Sequence, residues 1–226
     1  SLAMIFGIAL TLFLPLVTHQ LFSRFDSSIH ERAKNTPLII GAKGSRFDLV
    51  LHGIYFRAKV DDLISYANYQ ELSQADYGPV VPIYTQFSAH GYPVVGTTVD
   101  YFHFRDLKIR QGNTMKILGD CELGSKVADQ LGLAPGDTIM TDRENLFDLA
   151  GEYPLKLNIT AVLAPSNTAD DNAVFVNLNT AWVIAGIGHG HDDQNSTHLS
   201  TVLIKKHLEF TPENAGSFHF HGDPKN

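Results

Sequence analysis

The chain has one cysteine and one tryptophan in 226 residues, and charged residues make up only 18% of it. A lone cysteine, Cys121, excludes an internal disulfide framework and fits a bacterial periplasm or a cytosol equally well. Lys and Arg number 17 against 24 Asp and Glu, a formal net charge of −7. With a pI of about 5.8, the chain lacks the clustered basic footprint of a nucleic-acid binder, and no nucleic acid is expected as a partner. Internal repeats and low-complexity linkers are also missing. The first lysine or arginine is Arg24, and after Pro15 no proline occurs until Pro37.

The uncharged start of the chain is the most informative stretch. Leu2 to Val17 (LAMIFGIALTLFLPLV) holds one hydroxyl, Thr11. Sixteen helical residues reach about 24 Å, short of the roughly 30 Å of a bilayer core. The chain opens on Ser1 rather than Met, which predicts further apolar residues upstream. A secretory signal would show a basic segment ahead of the run and a small-residue cleavage site behind it. Neither is visible, and Thr18-His19-Gln20 is a poor cleavage site. A buried core helix is the other alternative. Beyond the run, Phe13, Val17, Leu21, Phe25, Ile29 and Ala33 recur every four residues, one drifting helical stripe. One long helix is therefore predicted, apolar all round at its start and one-sided by its end. Residues 1–36 read as the end of a transmembrane helix plus a stalk, and a one-sided stalk needs a partner.

About 200 residues remain, enough for one large domain or two small ones. Asp61 to Ser73 reads as a helix. Val80 to Phe87 and Tyr92 to Thr98, separated by Ala89-His90-Gly91, read as a hairpin. Asp100 to Leu107 suggests a short helix or turn. Ile117-Leu118-Gly119 reads as a strand end, Ser125 to Leu131 as a helix, and Leu133 to Asp137 as a turn needing a positive φ at Gly136. Strands follow at Thr138 to Thr141, Leu155 to Leu163, Ala173 to Val176 and Thr201 to Leu208, with a helix around Trp182. Strands alternating with short helices, without a sustained βαβ rhythm, predict an α+β fold.

Four segments, in order, resemble the extracytoplasmic core of ABC-transporter permeases of the MacB/FtsX/LolC-E type. The first is Leu38-Ile39-Ile40-Gly41-Ala42-Lys43-Gly44-Ser45, followed by Leu49-Val50-Leu51. The second is Val94-Val95-Gly96-Thr97-Thr98-Val99-Asp100-Tyr101-Phe102. The third runs from Leu118-Gly119-Asp120 through Leu123-Gly124-Ser125-Lys126-Val127-Ala128 to Leu131-Gly132-Leu133-Ala134-Pro135-Gly136-Asp137. The fourth runs from Val162-Leu163-Ala164-Pro165-Ser166-Asn167-Thr168-Ala169-Asp170-Asp171 to Trp182. The resemblance implies a bacterial inner-membrane permease with four membrane helices per subunit, paired with a second permease copy. ATP would be hydrolysed by a separate ATP-binding subunit, so this chain would not be an enzyme. The outer domain, residues 37–226 with a subdomain insertion at about 88–165, would meet a periplasmic or lipoprotein partner. Stalk motion, rather than passage through the membrane part, would convey the work of ATP hydrolysis. The short outer domain and a histidine-rich loop depart from the best-known efflux members.

Three patterns bear on chemistry. Gly119-Asp120-Cys121-Glu122-Leu123-Gly124-Ser125-Lys126 imitates a phosphate-binding loop, but its order is Gly-Ser-Lys where Gly-Lys-Ser/Thr is needed. It reads as a strand-to-helix turn with Lys126 in solvent. Cys121 has no nucleophile signature around it. The histidines are different: six of eleven fall between His189 and His221. His189-Gly190-His191-Asp192-Asp193 gathers two imidazoles and two carboxylates, with His198 close behind. His219-Phe220-His221-Gly222-Asp223 repeats the arrangement. Imidazole with carboxylate suits zinc, and also copper or nickel. The expected metal donors are therefore His189, His191, Asp192, Asp193, His198, His219 and His221, with binding weakened below about pH 6.5 as imidazole protonates. A membrane-anchored metal-binding protein or metalloenzyme is the alternative reading, although no His-Glu-x-x-His spacing supports catalysis.

Overall fold

The computed structural model describes residues 2–34, 36, 38–57, 60, 62–75, 77–142, 154–185, 188–190, 208–209 and 218–220. They fall into two units, Ser1–Ile40 and Gly41–Asn226.

The first unit is a single helix, α1 (Leu2–Lys34), as the periodicity predicts. Pro15 sits inside it. Thr11 donates its hydroxyl to the Ile8 carbonyl at 2.9 Å, and Thr18 donates to the Leu14 carbonyl. Both hydroxyls are thus satisfied within the helix, as an apolar medium requires.

The second unit begins with α2 (Arg46–Tyr55) and α3 (Tyr66–Gln74). Ser45 and Ser65 cap them, each accepting a backbone N–H three residues on at 3.2 Å. Because Ser65 is the cap, α3 starts five residues later than the helix expected from Asp61. Next come β1 (Tyr84–Ala89), β2 (Tyr92–Thr97), α4 (Asp100–Phe104), β3 (Ile109–Gly112), β4 (Asp120–Leu123), α5 (Ser125–Leu131) and β5 (Thr138–Met140). Then follow β6 (Leu155–Leu163), a 3-10 turn at Ala169–Asn172, β7 (Val174–Asn177), α6 (Leu178–Ile184), β8 (Gly188–Gly190), β9 (Leu208–Glu209) and β10 (Phe218–Phe220).

Eight strands form one mixed sheet in the order β1-β2-β7-β4-β6-β3, with β5 and β9 also paired to the long β6. β2 with β7 and β4 with β6 are parallel; β1–β2, β4–β7 and β3–β6 are antiparallel. The segment at about 88–165 supplies strands to the same sheet as β1 and β7. The fold is α+β, as expected.

Alternation splits the buried side chains between two cores. Val94, Val174 and Val176 lie in one with Cys121, Leu123, Leu157, Ile159 and residues of α5 and α6. Val95 and Phe175 lie in the other with Phe56, Tyr101, Phe102, Met115 and Leu163. A sheet covered on both faces explains why β7 reads as the continuous apolar run Val174-Phe175-Val176 and why all four residues of β4 are buried.

One local expectation needs correction, one edge strand was not foreseen, and one expected strand lies largely outside the described residues. Ile117-Leu118-Gly119 does not end a strand: it is the turn before β4, with Gly119 at φ +86°. Asp120 draws that turn in, accepting the N–H groups of Lys116 and Ile117 at 2.9 and 3.0 Å. The edge strand β3 was not expected, because all four of its residues are exposed and none alternates. The expected strand at Thr201–Leu208 lies outside the described residues up to 207, and β9 begins at Leu208.

Candidate functional site

Within α1, a 23-residue stretch, Met4–Asp26, is long and apolar enough to cross a membrane. At about 1.5 Å per residue it reaches about 35 Å, which covers the roughly 30 Å hydrocarbon core. None of this stretch is buried against protein. Met4, Phe6, Leu12, Leu14, Leu16, Leu21, Phe22 and Phe25 are all exposed, Phe22 by 75%. A core helix of its own unit would be covered, and this one is not. So large an exposed apolar surface calls for lipid or a partner. Of the four-residue stripe, Phe13, Leu21 and Phe25 are exposed; the side chains at 29 and 33 lie outside the described residues.

In the second unit the second, third and fourth of the family-like segments converge on a buried polar brace. Asp170 is 1% exposed. It accepts the Tyr101 hydroxyl at 2.5 Å and faces the Arg105 guanidinium at 3.7 Å. Burial first, then the Asp170 charge, push the Tyr101 phenol well above its ordinary range, so it stays a donor. Its neighbour Asp171 closes the 166–171 turn. It accepts the N–H and hydroxyl of Ser166 and the N–H of Asn167, each at 2.8 Å. Asn167 can occupy φ +57° because asparagine tolerates the left-handed region. A Cβ on Gly124 would come within 2.3 Å of the Asp170 carbonyl oxygen and 2.5 Å of that of Asp171. The second, third and fourth segments therefore meet at this one turn.

A second brace centres on Glu122, 1% exposed. It accepts the Thr114 hydroxyl at 2.7 Å and the Met115 N–H at 2.9 Å. Burial raises its carboxyl above the usual range, against the pull of those two donors. A third brace, Asp142, accepts the N–H groups of His90 and Gly91 at 2.9 and 2.8 Å and so holds the β1–β2 turn. Burial pushes its carboxyl up, but hydrogen bonds from Gly91, Ser88 and His90 outweigh it and hold the group below its usual value.

These braces are structural. The Gly124-Ser125-Lys126 turn joins β4 to α5 with Lys126 exposed, as expected of a mere strand-to-helix turn. Cys121 is a free thiol, fully buried, its pKa pushed up by burial and then by Asp120 and Glu122. Trp182 takes the edge of Tyr66 at 4.9 Å, which seats α3 on α6. Sequence reasoning missed the Tyr101–Asp170–Arg105 brace, whose ends lie 69 residues apart. Its one legible sign was the doubled aspartate after a Ser-Asn-Thr turn.

Of the expected metal donors, His189 lies in β8 and His219 in β10, a separate two-stranded antiparallel sheet that pairs the two residues directly. His191, Asp192, Asp193, His198 and His221 lie outside the described residues. Among the described residues, no group of three His, Cys, Asp or Glu side chains is placed to hold a metal.

A mixed-sheet α+β domain joined to an exposed apolar helix defines the class: a domain carried by a membrane-compatible helix. The chain belongs to the MacB-like periplasmic core domain family, whose model matches residues 1–206, in agreement with the resemblance read from its motifs. Two solved structures are similar. One is the periplasmic region of MacB from Actinobacillus actinomycetemcomitans, at 13% identity and TM-score 0.46, over 64% of this chain and 65% of that one. The other is the extracellular domain of the noncanonic ABC-type transporter YknZ from Gram-positive bacteria, at 13% identity and TM-score 0.40, over 54% and 67%. The chain thus spans just under two thirds of the MacB region it matches. No curated protein matches it.

Proposed function

We infer that this chain is part of an ABC-transporter permease subunit in a bacterial inner membrane. Residues 1–36 form the outer end of its first membrane helix and the stalk, and residues 37–226 form its periplasmic domain. One observation carries the reading: α1 is apolar and uncovered and runs into a domain of the MacB-like periplasmic core family. In this reading the chain catalyses nothing. A separate ATP-binding subunit supplies the energy, a second permease copy covers the stalk, and α1 conveys motion to the outer domain and a periplasmic or lipoprotein partner. The absence of a working phosphate-binding order at Gly124-Ser125-Lys126 agrees with ATP hydrolysis in another subunit. The histidine-rich segments give the cargo its chemistry, a divalent transition metal and zinc first.

Co-expression of the full-length subunit with any ATP-binding protein whose gene adjoins its own tests the reading. The subunit should resist alkaline extraction from the membrane. In mild detergent it should co-purify with the ATP-binding protein and a second copy of itself. Recovery as a soluble monomer with neither partner would overturn the reading.

A further inference from the structure

We propose that α2 is an interfacial helix whose outward face docks on an anionic phospholipid surface. The proposal rests on the membrane reading of α1 above and adds a second, reversible contact with lipid. Phe47, Val50, Leu51 and Ile54 stand at i, i+3, i+4 and i+7, the spacing of the apolar stripe by which a helix is seated on its core. In α2 that stripe is not the seated side. Phe47 is 70% exposed and Val50 39%, while Leu51 and Ile54 are half-buried. The one buried side chain within the helix is polar, His52. Phe56, which caps the helix, lies in the core. The domain thus turns the apolar stripe of α2 outward, and so open a stripe calls for a cover.

Charge identifies the cover. Between Glu31 and Asp61 the sequence holds six basic residues, Arg32, Lys34, Lys43, Arg46, Arg57 and Lys59, against Asp48 alone, in a chain whose formal net charge is −7. Lys43 and Arg46 are exposed. Arg46, four residues before Val50, stands on the same side of the helix as the stripe. An apolar stripe bordered by cations is the composition of helices that lie in the headgroup region, with apolar side chains at the acyl boundary and cations at the phosphates. An apolar protein surface would cover Phe47 and Val50 but leave the cations without anions. Only residues 27–45 separate α2 from Asp26, the last residue of the apolar span. That tether keeps α2 at high local concentration near lipid, so a short helix with two large exposed apolar side chains suffices. Long outer domains translocate largely regardless of their charge, so basic residues here do not oppose an outward-facing domain.

The test places an environment-sensitive fluorophore at Val50→Cys in the full-length subunit, reconstituted at low salt in nanodiscs that carry nitroxide-labelled lipid. Cys121, fully buried, stays unlabelled. Asn179→Cys is the control: it is exposed on α6, whose apolar side packs into the other core. The nitroxide should quench position 50 and not position 179, and more strongly in phosphatidylglycerol discs than in phosphatidylcholine discs. Lys43→Gln or Arg46→Gln should each lower the ratio of lipid-bound to free helix about fivefold in phosphatidylglycerol. Phe47→Asp should abolish the quenching and leave the unfolding midpoint in place, since this side chain is not part of the core. A position 50 that lipid does not quench, as a second copy or another protein over the helix would leave it, would overturn the proposal. So would equal quenching in the two lipids. Alkaline extraction reports on α1 separately. A subunit that stays anchored with position 50 unquenched defeats this inference alone, whereas a subunit that does not anchor defeats the permease reading as well.

Discussion

Glu122 is a buried carboxylate whose cost the structure partly offsets with two donors, the Thr114 hydroxyl and the Met115 N–H. Its folded pKa is raised, chiefly by burial. The native state therefore binds its proton more tightly than the unfolded chain does. The stability from this group is complete below the unfolded value of about 4.3 and is lost as pH rises through the folded value. Glu122→Gln keeps an acceptor and removes the titration. Thermal unfolding of the subunit should show the wild type losing stability, relative to E122Q, as pH is raised from about 4.3 toward neutrality. Glu122→Ala orphans the Met115 N–H and should cost about 1–3 kcal/mol at either pH. A pH-independent difference between wild type and E122Q would contradict this account. At this scale the sequence was half legible. The carboxylates at 120, 122, 170 and 171 could be seen, but not their partners, because a tyrosine 69 residues away leaves no mark in the local pattern.

The elements with strong local signals were readable. The hairpin around Ala89-His90-Gly91, the nine-residue alternation of β6 and the α5 helix stand where periodicity and turn chemistry put them. Gly136 adopts the expected positive φ of +100°. The failures have physical causes. β3 pairs on one side only, against β6, and is exposed throughout, so it has no apolar face to show. Residues 117–119 are apolar like a strand but are bent by Gly119 and held by Asp120. Gly124 is the test of how elements meet at the 169–172 turn. Its Cβ would strike two backbone oxygens, and neither can swing aside as a flexible side chain could. Gly124→Ala should therefore destabilise the domain by about 1–3 kcal/mol or more, read as a drop in unfolding midpoint. Gly132→Asn is the contrast. That site has a positive φ of +67° and open space around it, and asparagine tolerates the conformation, so the midpoint should barely move.

For the whole molecule, the apolar start of the sequence set the reading, and the structure extends it. The sixteen residues visible as an apolar run become a 23-residue uncovered span within one 33-residue helix. The family match then joins that helix to a periplasmic core domain. Residue counting could not show whether the run was covered by protein, because cover is a property of the packed chain. The histidine pattern was visible in sequence, but the pairing of 189 with 219 came only from the register of β8 and β10. The central claim is that α1 transmits ATP-driven work. It is tested most directly by ATP hydrolysis of the full-length subunit and its ATP-binding partner together in lipid vesicles. Hydrolysis should exceed that of the ATP-binding subunit alone. Leu21→Asp with Phe25→Asp, on the exposed stripe near the end of the span, should weaken association of the two permease copies and abolish the excess. Hydrolysis indifferent both to the subunit and to these substitutions would contradict the account.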